Sequence, residues 1–296
     1  MTSLSRKDWI LLGLLTLSWG INWPIMKMGV RDFPPITFRT LGMLGGVPVL
    51  WLAARMQGAS LALRREHIRD IVGLAIPNML LWNIFMIMGV KMLSSGRAAI
   101  LGYTMPVWAV LAALIFFGER PARTAWIGVG CALGGALLLL SSEFATLAGN
   151  PSGTVFVLIA AASWGYGTVA MKRSAIDMPT ISLTFWMLAL TVASMALVAV
   201  VFESHAWHMP NADTWIAIGY NALVIFGFAH VVWFKLARML PPVASSLSVM
   251  MIPVLGVFSG AWLLGERPHW QDYAAMVLIL MAMSTVLLKP RMRDLK

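Results

Sequence analysis

The sequence contains the same short motifs twice, in the same order and at nearly the same distance. A Gly-Glu-Arg-Pro block at 118–121 begins twelve residues after Pro106, and an identical block at 265–268 begins twelve residues after Pro253. The tripeptide Ser-Trp-Gly at 18–20 also recurs, 145 residues later. Several motifs repeated in order, at offsets that differ by only two residues, indicate a duplicated half. Duplicated halves in an apolar chain are typical of transporters, whose binding site lies where the halves meet.

The composition is that of an integral membrane protein. Of the 296 residues, 59% are hydrophobic and only 11% are charged, whereas soluble domains carry roughly 25% charged residues. Apolar stretches of about 20 residues favour transmembrane helices over the strands of an outer-membrane barrel. The net charge of +10 is spread over short loops, so we attribute it to orientation in the membrane and expect no nucleic-acid partner. The single cysteine, Cys131, excludes an internal disulfide and a cysteine-based metal site.

Hydropathy and turn residues divide the chain into ten predicted transmembrane helices, five in each half. A polar, turn-rich stretch around Asn150 separates the halves, which we place at residues 1–148 and 149–296. The predicted fold is therefore an all-α membrane protein built from two five-helix repeats. The predicted spans cover residues 8–28, 34–55, 70–91, 95–117, 122–141, 153–172, 179–202, 214–236, 242–264 and 270–288.

The distribution of basic residues predicts that both termini lie in the cytoplasm. With the N-terminus inside, 16 of the 22 Lys and Arg residues fall on the cytoplasmic side, and the other six include Lys27 and Arg39. Because each half has an odd number of helices, the second half enters the membrane from the opposite side, which gives an inverted repeat. The two Gly-Glu-Arg-Pro blocks then lie on opposite sides, with Glu119 in the cytoplasm and Glu266 outside.

These features together resemble a known family. Five-helix halves, a Trp-Gly pair near the start of each, and a Gly-Glu-Arg-Pro block closing the fourth helix are similar to the EamA-type permeases of the drug/metabolite transporter superfamily. In length and general character the chain most resembles the bacterial exporters of (aromatic) amino acids of the YddG type. The resemblance implies an inner-membrane protein that exports amino acids and related small metabolites by alternating access, without a cofactor or bound metal. Its expected partners are small-molecule substrates and the lipid bilayer, and we expect a monomer rather than a dimer.

Aromatic and polar residues inside the spans are the candidates for substrate binding. Polar groups at membrane depth are unfavourable in lipid and usually face the bundle interior. A serine can equally bond its own helix and a tryptophan can anchor a helix end at the interface, so both readings stay open. We expect spans 1, 3, 4, 6, 8 and 9 to form the site and spans 5 and 10 to lie outside. The candidates are Trp19, Asn22, Asn78, Trp82, Asn83, Tyr103, Trp164, Tyr166, His230, Ser245 and Ser248.

Two prolines stand at equivalent positions inside predicted spans four and nine. A proline inside a helix frees the carbonyl four residues earlier, Gly102 for Pro106 and Val249 for Pro253. Such a carbonyl needs a partner in lipid, so the prolines mark either packing kinks or bends beside the cavity, and their symmetry favours the bends. The glycine and proline of each Gly-Glu-Arg-Pro block predict a helix end followed by a helix start. We keep these blocks out of the binding site; the alternative is that their glutamates pair with basic residues as gates.

The residue types that are missing bear on mechanism. No His-Glu-x-x-His or Gly-x-Ser-x-Gly motif occurs, so we expect no enzyme. No Asp or Glu lies in the middle of a predicted span, and His230 is the only deeply placed group that titrates near neutral pH. We therefore predict facilitated diffusion, with proton antiport through His230 as the alternative. Other metabolites, drugs and nucleotide sugars are alternative substrates; a cationic drug would need a buried acid, and a nucleotide sugar would need a basic residue deep in the cavity.

Overall fold

The structure, a computed structural model, describes residues 6–145, 149–229, 232 and 242–287. These residues form helices joined by turns and short loops, and no β-strand occurs among them. The helices are α1 (Arg6–Gly29), α2 (Pro35–Met56), α3 (Arg65–Met92), α4 (Ser95–Phe117), α5 (Arg123–Ala145), α6 (Pro151–Arg173), α7 (Thr180–Glu203), α8 (Ala212–Ala229), α9 (Pro242–Leu264) and α10 (Trp270–Leu287).

These helices confirm the predicted fold class, an all-helical membrane protein. Eight of the described helices, α1 to α8, are long and apolar enough to cross a membrane. In α9 the qualifying apolar part is shorter, Ser248–Leu264. Ten membrane crossings, the inverted orientation of the halves and the cytoplasmic termini stay predictions.

The fourth helix is broken near its proline rather than bent. Regular α-helix ends at Gly102 and resumes three residues later. In the break, Thr104 donates to the carbonyl oxygen of Leu101 both from its backbone N–H, at 3.1 Å, and from its hydroxyl, at 2.7 Å. Pro106 therefore lies in the first turn of the second segment, where its missing N–H leaves no bond unmade. Its counterpart Pro253 lies inside α9, so the two prolines differ in local structure.

Two helices contain wide, π-helical turns at matching places in the two halves. The wide segment of α3 is Ile76–Leu81, and that of α8 is Tyr220–Ala229. Wide turns change which residues share a helix face and are frequent at functional sites. In α3 the carbonyl oxygen of Pro77 accepts a hydrogen bond at 2.8 Å from the hydroxyl of Ser163 in α6. Both wide segments contribute side chains to the cavity described below.

The halves pack on each other through matching helix pairs. Helix α1 packs on α9 and α6 packs on α4, while α5 and α10 pack mainly on each other. The glycine of each Ser-Trp-Gly tripeptide lies at one of these crossings. A Cβ added to Gly20 would lie 2.4 Å from the Cβ of Leu255, and one added to Gly165 would lie 2.7 Å from the Cβ of Trp108. Only glycine permits such close approach, so the repeated tripeptide brings its tryptophan to the centre of the bundle.

Candidate functional site

A cavity of about 260 Å³ lies in the interior, among helices from both halves. Its lining comes from α1, α2, α3, α4, α6, α8 and α9; among the described residues, α5 and α10 contribute none. Most of the lining is aromatic, aliphatic or methionine, and the polar part consists of amide side chains, a tyrosine and an arginine. The cavity therefore combines an adaptable apolar wall with a few fixed polar groups, which is the usual construction of a small-molecule site.

Six of the residues selected from the sequence line this cavity, and several belong to aromatic pairs. The rings of Trp82 and Trp164, which come from different halves, have centroids 5.0 Å apart. Tyr103 meets Trp23 edge-on, with centroids 6.2 Å apart. Ring pairs of this kind are favourable beyond the area they bury, so they stiffen the cavity wall. The six are Trp19, Asn22, Trp82, Asn83, Tyr103 and Trp164.

Three other selected residues do not line the cavity, and each has a local partner that explains why. The buried Asn78 donates to the backbone carbonyl one turn earlier in its own helix, at 2.9 Å. Tyr166 packs edge-on against the ring of Phe116, with centroids 5.1 Å apart. The hydroxyl of Ser248 shares a hydrogen bond with that of Thr16. In this structure these three side chains contact other protein groups and not the cavity, and their role in binding stays a prediction.

The expected correspondence between Asn83 and His230 stays a prediction, because His230 lies outside the described residues. The side chain of Ser245 lies outside them as well. Asn83 itself is buried, and its Oδ1 accepts a hydrogen bond at 2.7 Å from Nε of Arg39. Among the described residues, the basic side chain that bonds to Asn83 is therefore Arg39.

Arg39 is the charged residue among the described residues that line the cavity, and the motifs in the sequence do not identify it. The charge count assigns it to the non-cytoplasmic side of the membrane, which stays a prediction. In the structure it lies in the second turn of α2 with only 7% of its surface exposed. Proline is favoured in the first turn of a helix, and α2 begins at Pro35. The proline pair at 34–35 is thus the sequence signal that places Arg39 inside α2 rather than in the loop before it.

Two asparagines hold the Arg39 guanidinium in place. Its Nε bonds to Asn83, and its Nη1 donates to Oδ1 of Asn221 at 2.7 Å. Each asparagine also donates from Nδ2 to the carbonyl four residues earlier, at 2.7 Å for Asn83 and 3.0 Å for Asn221. These bonds turn both amide oxygens toward the arginine. The guanidinium carbon also lies 5.0 Å from the ring centroid of Phe226, a favourable cation–π distance.

A second cavity, of about 290 Å³, lies at one end of the bundle beside α4 and the loop between α9 and α10. Within it Arg97 forms ion pairs with Asp272, at 2.6 Å, and with Glu143. Glu266 in the same cavity accepts hydrogen bonds from the start of α4. Because these charges already satisfy groups of the protein, we assign this cavity a structural role.

Comparison with known proteins gives a match to each half. A model of the EamA-like transporter family matches residues 7–141 and again residues 151–288. The chain is 28% identical to the uncharacterized transporter YoaV of Bacillus subtilis strain 168, over 86% of this chain and 88% of that protein. It is 26% identical to the uncharacterized inner membrane transporter YedA of Escherichia coli strain K12, over 93% and 88%. A probable amino-acid metabolite efflux pump of the same strain is 24% identical, over 94% and 93%.

A solved crystal structure has the same fold. It superposes with a TM-score of 0.66 at 24% sequence identity and covers 96% of this chain and 99% of that chain.

Proposed function

The chain belongs to the EamA-like transporter family of the drug/metabolite transporter superfamily, and we propose that it exports amino acids and related small metabolites. Membership makes it a multi-pass membrane transporter. The name of one relative, a probable amino-acid metabolite efflux pump, supports the proposed substrate class. The resemblance to exporters of the YddG type supports it too and remains part of the proposal.

The observation that carries the proposal is the central cavity between the two halves. Its volume of about 260 Å³ lies below the roughly 300–1,000 Å³ of sites for drug-sized ligands, which favours a small metabolite. Methionine and tryptophan side chains offer an apolar surface that adapts to different shapes. We therefore propose a polyspecific site in which the side chains of several related substrates contact Trp82 and Trp164.

Transport is proposed to occur by alternating access between inverted halves, residues 1–148 and 149–296, in the inner membrane with both termini in the cytoplasm. The separate family matches to the two halves support this division, and a relative named as an inner membrane transporter supports the location. In a Cys131→Ala background, Gly149→Cys should react with an impermeant maleimide added outside intact cells. The matched variant Glu119→Cys should react only after lysis. The opposite labelling pattern would overturn the topology.

Transport assays in proteoliposomes test the function directly. We expect uptake of neutral amino acids but not of cationic dyes, and we expect Trp164→Ala and Tyr103→Ala to reduce uptake by about tenfold or more, because each removes a ring from the cavity wall. Trp262→Ala and Tyr273→Ala change the same residue types at exposed positions and serve as controls. Wild-type vesicles that transport no amino acid would refute the proposal.

A second candidate substrate class is anionic, such as nucleotide sugars, and Arg39 in the cavity is the observation that favours it. The same arginine disfavours cationic drugs, because like charges repel in a low-dielectric site. The small volume argues against a nucleotide sugar. Competition of amino-acid uptake by a nucleotide sugar and by an organic cation separates the three classes.

The proposed driving force is the substrate gradient alone. Moving one charge through 100 mV is worth ~2.3 kcal/mol, so a coupled carrier would concentrate its substrate measurably. We expect a neutral amino acid to equilibrate without accumulating when a pH gradient is imposed. Accumulation that disappears in His230→Gln would establish proton antiport instead.

A further inference from the structure

The charge of Arg39 has no opposite charge near it in the described part of the chain. The ion pairs found there join other residues: Arg64 with Glu66, Arg97 with Glu143 and Asp272, and Arg173 with Glu119. The asparagines that hold Arg39 are neutral, so they orient the guanidinium without neutralising it. An unpaired charge deep in a membrane protein is strongly unfavourable and usually marks a functional site. An anionic group bound in the cavity would supply the missing charge.

The guanidinium still has donors to offer such a group. Its hydrogen bonds to described residues use Nε, toward Asn83, and Nη1, toward Asn221 and the sulfur of Met26. Nη2 makes none to the described residues. An arginine presents its N–H groups in a planar fork that fits the two oxygens of a carboxylate. Because both neighbours are fixed by their own helices, the fork is positioned before any ligand arrives, which favours binding.

A second polar group on the cavity wall is also without a partner. Oδ1 of Asn22 is buried and makes no hydrogen bond to the described residues, and Asn22 lines the cavity. A buried acceptor left unsatisfied is destabilising, so it points to a donor supplied by a ligand. Asn22 lies one helical turn before Met26, whose sulfur contacts Arg39 at 3.5 Å. Side chains one turn apart are roughly 5–6 Å from each other.

We propose that Arg39 binds the carboxylate of the substrate and that Asn22 accepts a hydrogen bond from an N–H group of the same molecule. The two residues line the same cavity, so together they suit a compound that carries both a carboxylate and a nitrogen, as an α-amino acid does. The side chain of the substrate then lies among the aromatic and methionine residues. This assignment rests on the proposed transport function, and it adds that a free carboxylate is required whereas a positive charge alone is rejected.

Binding of three matched compounds to the purified wild-type protein tests the inference. We use L-phenylalanine, L-phenylalaninamide, which lacks the carboxylate, and 3-phenylpropanoate, which lacks the nitrogen. A charged hydrogen bond contributes about 1.5–3 kcal/mol, or roughly 10–100-fold in affinity. We expect the amide to bind at least about tenfold more weakly than the amino acid, with the acid between them. Equal affinity for amino acid and amide would overturn the inference alone; failure of all three to bind would overturn the proposed function as well.

Substitutions assign the two roles to their residues. Arg39→Gln should lower affinity for the amino acid by at least about tenfold and leave affinity for the amide unchanged, while Arg39→Lys should retain part of the preference. Asn22→Ala should remove the difference between the amino acid and the acid but keep the discrimination against the amide. The control Arg55→Gln makes the same change at an exposed position of α2 and should bind like wild type.

Misfolding of a variant must be distinguished from loss of binding. Each is first required to elute as a single monodisperse peak in detergent. If Arg39→Gln fails this check, Asn22→Ala and the wild-type compound series still decide the question. An Arg39→Gln protein that folds and keeps its preference for the amino acid over the amide would refute the role of Arg39.

Discussion

The two Gly-Glu-Arg-Pro blocks have the same sequence and the same backbone but different surroundings. Gly118 and Gly265 both end a helix in the left-handed conformation, with φ of 66°. In both blocks the glutamate N–H then bonds to the carbonyl six residues earlier, at 3.0 Å for Glu119 and 3.4 Å for Glu266. This is the expected glycine-terminated helix end. The motif therefore determines how the helix stops, as the sequence predicts.

The glutamate side chains, by contrast, have different partners. Glu266 accepts hydrogen bonds from Ser95, through its N–H at 2.7 Å and its hydroxyl at 2.9 Å, and from the N–H of Gly96 at 3.3 Å. It therefore neutralises the N-terminus of α4. Glu119 pairs with Arg173, and both side chains are about half exposed. Among the described residues, Glu119 forms an ion pair with a basic residue, as the gate interpretation requires, whereas Glu266 forms none.

One methyl group distinguishes the two surroundings. Five residues before its terminal glycine, the second block has Gly260 and the first has Ala113. A Cβ at Gly260 would lie 2.4 Å from the Ser95 hydroxyl oxygen and 2.6 Å from a carboxylate oxygen of Glu266. The missing side chain is what allows α4 to dock there. A repeated motif thus fixes local structure, while a residue outside it decides whether a neighbouring helix can bind.

The largest expected effect comes from Arg97, which has no basic counterpart in the second half. Arg97→Met would leave Asp272 and Glu143 buried without their cation. Removing one member of a buried ion pair is destabilising by about 3–5 kcal/mol. We expect a loss of this size in the free energy of unfolding in detergent, whereas Arg55→Met, at an exposed position, should change it little. A loss below about 1 kcal/mol would show that the ion pairs of Arg97 do not stabilise this end of the helix bundle.

Glu266→Ala should have the next largest effect. It removes the acceptor for three donors at the start of α4, and each buried donor left unpaired is unfavourable by about 1–3 kcal/mol. Because water can reach part of this end, we expect a total loss of about 2–4 kcal/mol, measured by denaturant titration. If Glu119→Ala destabilises the protein by the same amount, the different partners of the two glutamates do not lead to different contributions to stability.

Gly260→Ala tests the role of the missing methyl group. The new Cβ would displace the Glu266 carboxylate from Ser95, and overpacking of this kind is destabilising by about 1–3 kcal/mol. The reciprocal change, Ala113→Gly, should lose no more than about 1 kcal/mol, the helix propensity difference. The pair is compared by thermal unfolding of the purified proteins. A Gly260→Ala variant as stable as wild type would contradict the docking explanation.

The smallest effect is expected for Glu119→Ala. Exposed ion pairs contribute about 0–1 kcal/mol and are screened by salt. A double-mutant cycle with Arg173→Ala should give a coupling energy in this range that falls further at high ionic strength. A larger coupling that is independent of salt would mean that Glu119 has a partner comparable to that of Glu266.

The sequence predicts class and cavity better than it predicts the partners of single side chains. Hydropathy identifies the helical segments because burial in lipid acts on whole stretches of about 20 residues. Trp19 and Trp164 are selected as aromatic residues inside predicted spans; the structure adds that the glycines next to them lie at helix crossings. Asn78 and Tyr166 show where prediction of the cavity lining fails. Asn78 lies in the wide turn of α3, which changes the helix face that its side chain occupies. Tyr166 lies only two residues after Trp164 on α6 and therefore occupies a different face.

The sequence does not predict the hydrogen bond between Arg39 and Asn221, for a different reason. A charge count assigns each arginine to one side of the membrane and carries no information on depth. The bond between Arg39 and Asn221 joins residues far apart in the sequence, and no motif marks it. Only the proline pair at 34–35 hints that Arg39 follows a helix start.

The position of Arg39 also imposes an order on the synthesis of the protein. Its partner Asn221 lies 182 residues later in the chain, so at 5–20 residues per second roughly 10–40 s pass before that partner is made. Until then α2 must enter the bilayer with a guanidinium that lacks one of its two amide partners. The first half therefore lacks one hydrogen-bond acceptor for its cavity arginine until α8 has been translated.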